Sequence, residues 1–227
     1  MQPYFLPYIG YFQLIDAVDE FIIYDNIKYT KQGWVNRNRL LSNGHDVLFT
    51  VPLKNASDFL DIRDREISEA FDKTKLLNQI AGAYAKAPQF GRVFPLIKEI
   101  ILFPELNLFK YILSSIERVC AALRITTKLT ISSDVGIDHK GLQAQGKVIA
   151  LCKARQTTEY INPIGGVELY DKAAFEAQGI TLLFHKTSDI SYRQFDHPFV
   201  THLSILDVMM FNSSEQLRSL LASYTLS

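Results

Sequence analysis

The first twenty-five residues, MQPYFLPYIGYFQLIDAVDEFIIYD, constrain the fold more than any other stretch of the chain. Pro3 and Pro7 remove two backbone donors and hold their neighbours extended, while Gly10 permits close backbone approach, a combination suited to a shaped loop just before a helix. YFQLIDAV then places Phe12, Ile15 and Asp19 at helical spacing, and EFIIYDN reads as a strand stopped by Asp25 and Asn26. Loop, helix and strand in that order make an α/β opening. The density of Tyr4, Phe5, Tyr8, Tyr11 and Phe12 fits a packed start to the core, and equally the floor of a site facing the free amides of a helix N-terminus.

The rest of the chain keeps to the same class. SNGHD supplies a turn for a hairpin whose returning strand is VLFTVPL, and FLDIRDREI is expected to add a short strand. From about Asp72 the apolar period changes to that of helices. One ends before Pro88, one is broken around Pro95, and the longest carries Leu108, Tyr111, Ile112, Ser115, Ile116, Val119 and Leu123 on its apolar side. TKLTISSD, TEYIN and TLLFHK read as strands, GLQAQGKVIALCKAR and a segment ending at Gly179 as helices, and the closing stretch as two helices capped near Asn212 to Ser214. The expected fold is a three-layer α/β domain spanning residues 1–227, with a mainly parallel sheet and a helical insertion or cap over residues 70–125. The alternatives for the first edge of that sheet are a shortened strand from Met1 to Phe5 or cover from a later segment.

Composition narrows the function classes. Lys plus Arg and Asp plus Glu are 24 each, so there is no basic excess to favour a nucleic-acid surface. Cys120 and Cys152 lie far apart in apolar helical contexts, which points to buried thiols in a reducing compartment and leaves a zinc site without clustered partners. No window is long and apolar enough for a bilayer, so a cytoplasmic location is expected.

Several stretches carry residues suited to ligand chemistry. In WVNRNRL, a strand would set Asn36 and Asn38 on one face and Arg37 and Arg39 on the other, offering two guanidinium forks to a phosphate or carboxylate. An exposed arginine and a second one paired with an internal carboxylate is the competing arrangement. Ser132 and Ser133 at a strand end, followed by a helix bearing Lys147, could hold an anion or simply start the next element. Asn162, Pro163, Gly165 and Gly166 make a turn with room for positive φ, without the spacing of a nucleotide P-loop. Near the C-terminus Gln194, His197, His202, Ser204 and Asp207 are close in sequence, and histidine suits acid–base work at neutral pH.

Taken together, MQPYFLPYIGYFQLI, FIIYDNIKYTKQGWVNRNR, TISSD, YINPIGGVELY and SYRQF with LSILDVMMFN resemble the WbqC-like family of bacterial proteins, from the first residue to about Asn212. That resemblance implies a role in surface polysaccharide or glycan assembly and transfers no assigned catalytic residue. A more distant likeness is to the HIGH superfamily of nucleotidyltransferases and aminoacyl-tRNA synthetases. Tyr8, Gly10 and Tyr11 stand in a Tyr-x-Gly-Tyr arrangement where that superfamily has His-x-Gly-His, so the imidazoles for transferring phosphates are missing. The resulting expectation is a transferase-like protein that binds a phosphate-bearing or nucleotide-activated donor, with no particular cofactor implied. Arg37, Arg39 and Lys147 would meet phosphates, Gln2, Tyr8, Gly10 and Tyr11 would line the site, and Ser132 and Ser133 would hold an anion. Asn36, Asn38, Asn162, Gly165 and Gly166 would orient polar groups, and His197 would act as base, steadied by Asp207. The rival is a non-catalytic assembly protein bridging glycan enzymes. An enzyme should gather Tyr8, Arg37, Ser133, Asn162 and His197 around one pocket, and a scaffold should disperse them.

Overall fold

A computed structural model of the chain describes residues 1–138, 141–142 and 144–227. The opening loop leads into helix α1 (Ile9–Asp16) and strand β1 (Glu20–Ile23), as the residue pattern requires. The hairpin follows as β2 (Arg37–Ser42) and β3 (His45–Thr50), turned by Asn43 and Gly44, both at positive φ. An Asn-Gly pair is the residue choice this tight turn demands. FLDIRDREI gives no strand: Ile62–Asp64 is a single 3-10 turn, and only isolated bridges at Asp61, Glu66 and Ile67 tie the segment to its neighbours.

Three helices fill the middle of the chain: α2 (Lys73–Tyr84), α3 (Phe90–Leu102) and α4 (Leu108–Leu123). The seven residues expected on the apolar side of α4 are all buried. The expected break around Pro95 does not occur, because α3 runs through it. Pro95 forfeits one bond to the exposed first turn at Gly91, while burial of Val93, Ile97, Ile100 and Ile101 holds both halves in one helix.

The remaining elements are β4 (Lys128–Ile131), α5 (Ala144–Ala154), β5 (Glu159–Pro163), α6 (Lys172–Glu176), β6 (Thr181–Thr187), α7 (Ile205–Phe211), α8 (Ser214–Leu221) and a final β7 (Tyr224–Leu226). The predicted α5 includes Gln143, which lies outside the described residues. Ser213 and Gln216 close a reciprocal capping box at the start of α8, where a cap was expected. No described helix is long and apolar enough to cross a membrane.

The class is α/β, but the strands do not form one mainly parallel sheet. β1 pairs in parallel with β4, β2 pairs antiparallel with β3, and β5 pairs in parallel with β6, which takes β7 antiparallel on its other side. One hydrophobic cluster joins the opening loop, α1, the hairpin and the middle helices to α7 and α8, and a second lies around Val148, Phe175, Leu182 and Phe184. Neither alternative for the first sheet edge is met. Of the opening residues only Met1 pairs beside β1, and the edge of β1 away from β4 faces an open space.

Candidate functional site

The opening loop is held from two sides. Asn38 on β2 donates its side-chain amide to the carbonyls of Leu6 (2.7 Å) and Phe5 (3.3 Å). From the other side, the Ser204 hydroxyl donates to the Leu6 carbonyl at 2.7 Å and the Ile205 amide to that of Pro7 at 2.8 Å. Leu6 sits at φ 46°, a conformation disfavoured for a branched side chain, and this clamp holds it there. Phe5 and Tyr11 are consequently core: Phe5 stacks on Tyr111, and the Tyr11 hydroxyl donates to the Gln2 carbonyl. Tyr11 therefore cannot line an open site, contrary to expectation. Gln2 instead accepts a hydrogen bond from the Tyr4 hydroxyl.

Tyr8 turns outward at the N-terminal end of α1, 37% exposed. Gly10 makes that position possible, since a Cβ there would lie 2.3 Å from the Tyr8 ring and 2.6 Å from the Thr187 hydroxyl. Across from Tyr8, the alternation of β2 turns Arg37 and Arg39 to one face and Asn38 inward, with Asn36 also buried just ahead of the strand. Both guanidiniums lie against the ring of Trp34, at 5.7 Å and 5.3 Å from its centroid, and Trp34 is itself 43% exposed. Tyr4, Tyr8, Trp34, Asn38, Arg39 and His202, with Pro7, enclose a cleft of about 200 Å³.

The charge inside this cleft is only partly used. Arg39 donates one nitrogen to Asp46 at 3.0 Å and another to the His202 carbonyl at 3.3 Å, but its Nε is buried with no partner. An unpaired buried donor of this kind costs about 1–3 kcal/mol. Arg37 spends its donors on the carbonyls of Gly33 and Gln32, and no acid among the described residues pairs with it. The arginine face is thus an exposed ring bordered by two cations, with one donor left over.

The serine pair behaves differently. Ser132 Oγ donates to the Asp25 carboxylate at 2.9 Å, and Ser133 gives it both its amide (3.0 Å) and its hydroxyl (2.7 Å). Arg63 stands 3.9 Å from the same carboxylate. The serines do hold an anion, and it is the chain's own Asp25, buried where β1 and β4 end. Lys147 lies half-buried on α5 and does not line the arginine cleft. Asn36 is likewise consumed internally, accepting from the Tyr29 hydroxyl and donating to the Val51 carbonyl.

Asn162 accepts from the Tyr160 hydroxyl at 3.0 Å and lines a separate cavity beside β1. Its amide packs so closely on Gly166 that a Cβ there would come within 2.0 Å, whereas Gly165 faces open space. His197 is exposed and lies against Gly44 in the hairpin turn. Asp207 is fully buried. It accepts from Tyr192 (2.6 Å), Gln194 (2.7 Å) and Tyr84 (2.9 Å), and both of its oxygens are taken up in this way. Burial pushes its carboxyl above the usual range against the pull of those three donors. The expected support of His197 by Asp207 is therefore not made; Asp207 ties α2 and α7 to the Tyr192–Gln194 segment instead.

Residues 2–219 match the model of the WbqC-like protein family. The chain belongs to that family. A relative is the uncharacterized protein Rv1507c of Mycobacterium tuberculosis, 29% identical over 218 residues, which is 93% of this chain and 91% of the relative. No solved structure matches the chain.

In this WbqC-like protein, then, Tyr8, Asn38 and Arg39 share one cleft, with Gly10 behind it and Arg37 on its rim. Ser132 and Ser133, Asn162 with the glycines, and His197 lie in three other places. The cleft also contains Tyr4, Pro7, Trp34 and His202, which were not among the expected site residues. His202 was visible as a nearby histidine, but its place depends on a backbone at φ 56° and on its carbonyl being bound by Arg39, neither of which its sequence neighbours announce.

Proposed function

We propose that the Tyr8–Trp34–Arg39 cleft binds a donor that combines a planar ring with phosphate, a nucleotide-activated sugar, and that the protein is a transferase-like member of bacterial surface-glycan biosynthesis. The observation that supports this most is the unpartnered, buried Nε of Arg39 beside an exposed indole. A ring can stack on Trp34 or Tyr8, an anion can take the free Nε and the uncompensated charge of Arg37, and His202 lines the same enclosure. The surface-glycan context rests on the family resemblance.

The dispersal of Ser133, Asn162 and His197 favours the second reading, a non-catalytic protein that holds a donor or joins glycan enzymes through its aromatic face. Calorimetry with a panel of uridine, guanosine, thymidine and cytidine diphosphate sugars tests donor binding, and mass spectrometry of the mixtures with glycan acceptors separates the readings. A transferase yields a new glycan, while a scaffold returns the donor intact. Undiminished affinity in both Arg37→Ala and Arg39→Ala would remove the phosphate assignment.

A further inference from the structure

A separate cavity, about 630 Å³ in volume, opens between residues 191–196 and the junction of α7 with α8, and none of the residues lining it belongs to the arginine cleft. Its size is that of a small-molecule site. One wall is aromatic. The Phe195 ring meets that of Phe211 edge-on at 4.8 Å, and the Tyr192 ring lies 6.2 Å from the same Phe211, tilted by 30°. Phe195 reaches this position with φ at 52°, disfavoured for a bulky side chain. Arg193 holds the turn by donating its Nε to the Phe195 carbonyl at 3.2 Å.

The polar wall carries groups that are anchored but unpaired. Asn212, only 3% exposed, donates its Nδ2 to the Val208 carbonyl at 2.8 Å, and Arg92 holds its backbone carbonyl at 3.1 Å. Its Oδ1 accepts from no described residue. Gln216 is fixed by the capping box, where its Oε1 accepts from the Ser213 amide at 2.8 Å, and its Nε2 donates to no described residue. The cavity thus offers an anchored acceptor and an anchored donor beside an aromatic wall. A hydroxyl satisfies both, since it donates one hydrogen bond and accepts others.

Charge decides what carries such hydroxyls. Of the residues lining the cavity only Arg193 and Asp196 are charged, and they pair with each other at 2.6 Å. A phosphate finds no uncompensated cation here, the reverse of the arginine cleft. A wholly apolar ligand would leave the Asn212 oxygen out of water and without a donor.

We propose that this cavity binds the uncharged ring of a sugar. The C–H face of the ring lies against Phe195 and Phe211, and its hydroxyls meet Asn212 Oδ1 and Gln216 Nε2. The site stands independently of the donor reading of the arginine cleft, with which it shares no lining residue.

NMR spectra of the full chain, titrated to about 20 mM with the methyl glycosides of glucose, galactose, mannose, rhamnose and N-acetylglucosamine, test this. At least one glycoside should shift the amides of Phe195, Phe211 and Asn212 saturably. Glycerol at the same concentration should not, and the 1-phosphate of the responding sugar should bind no more tightly than its methyl glycoside. Gln216→Glu keeps the cap, because glutamate also accepts from the Ser213 amide, but it replaces the free donor with an acceptor. Phe195→Gly keeps the turn, which glycine adopts without strain, and removes the ring. Each should lower the affinity about tenfold, whereas Arg39→Ala should bind the glycoside as the parent chain does. No saturable shift at those amides, an equal response to glycerol, or tighter binding of the phosphate would overturn the proposal. So would affinity that survives either Gln216→Glu or Phe195→Gly, or that is lost in Arg39→Ala.

Discussion

Two regions of this protein carry side chains that suit an anion, and they end up in opposite conditions. At the ends of β1 and β4, Ser132 and Ser133 spend their hydroxyls and an amide on Asp25, so the anion they can hold is already part of the chain. On the outer face of β2, Arg37 and Arg39 border an exposed Trp34, with one buried donor unpaired and one charge uncompensated by any described acid. Residue type makes the two look alike. The partner a fold brings from a hundred residues away makes one structural, and the other has no such partner among the described residues.

That contrast predicts where substitutions fall on stability and where on binding. The largest stability loss belongs to Asp207→Ala, which strands the donors of Tyr84, Tyr192 and Gln194 in the core and should cost about 4 kcal/mol in denaturant unfolding. Asp25→Ala should cost about 3 kcal/mol for the same reason, with the Ser133 amide and hydroxyl losing their acceptor. A loss under about 0.5 kcal/mol for Asp25→Ala would show that the serine site is not closed by that carboxylate. Trp34→Ala and Arg39→Ala should change stability by no more than about 1 kcal/mol each, because both side chains border open space.

The smallest effect is a pH dependence at Glu20. Its partial burial raises the carboxyl, but bonds from Thr130, Arg155 and Lys128 outweigh that and hold it down at about 2, against an ordinary 4.5. A folded pKa below the unfolded one means stability present above pH 4.5 that is lost as pH falls toward 2. Melting curves of Glu20→Gln should therefore converge on those of the parent chain as pH drops through that window. Parallel curves would show that the Glu20 network contributes nothing through ionisation.

The sequence made the local architecture legible wherever one residue pattern decides it. The helical period from Leu108 to Leu123, the Asn-Gly hairpin turn and the Ser-x-x-Gln box before α8 depend on neighbours within a few positions. Pro95 misled because its cost is local while the burial that overrides it is tertiary. FLDIRDREI has strand-like residues, but Arg65 within it is held by the carbonyls of Ala56 and Ser57 and by the ring of Tyr29, leaving no regular ladder. The pairing of Arg37 with Arg39 was readable from strand alternation alone. The fates of Ser133, Asp207 and Tyr11 were not, since each is decided by a partner distant in sequence or by complete burial.

The most direct test of the open arginine cleft is isothermal calorimetry of the diphosphate-sugar panel against the parent chain, Arg39→Ala, Trp34→Ala and Ser133→Ala. The account predicts that one panel member binds the parent, loses at least about tenfold in affinity, 1.4 kcal/mol, in each of the two cleft variants, and binds Ser133→Ala unchanged. Affinity that survives in both cleft variants and falls in Ser133→Ala would contradict it, as would a panel in which nothing binds.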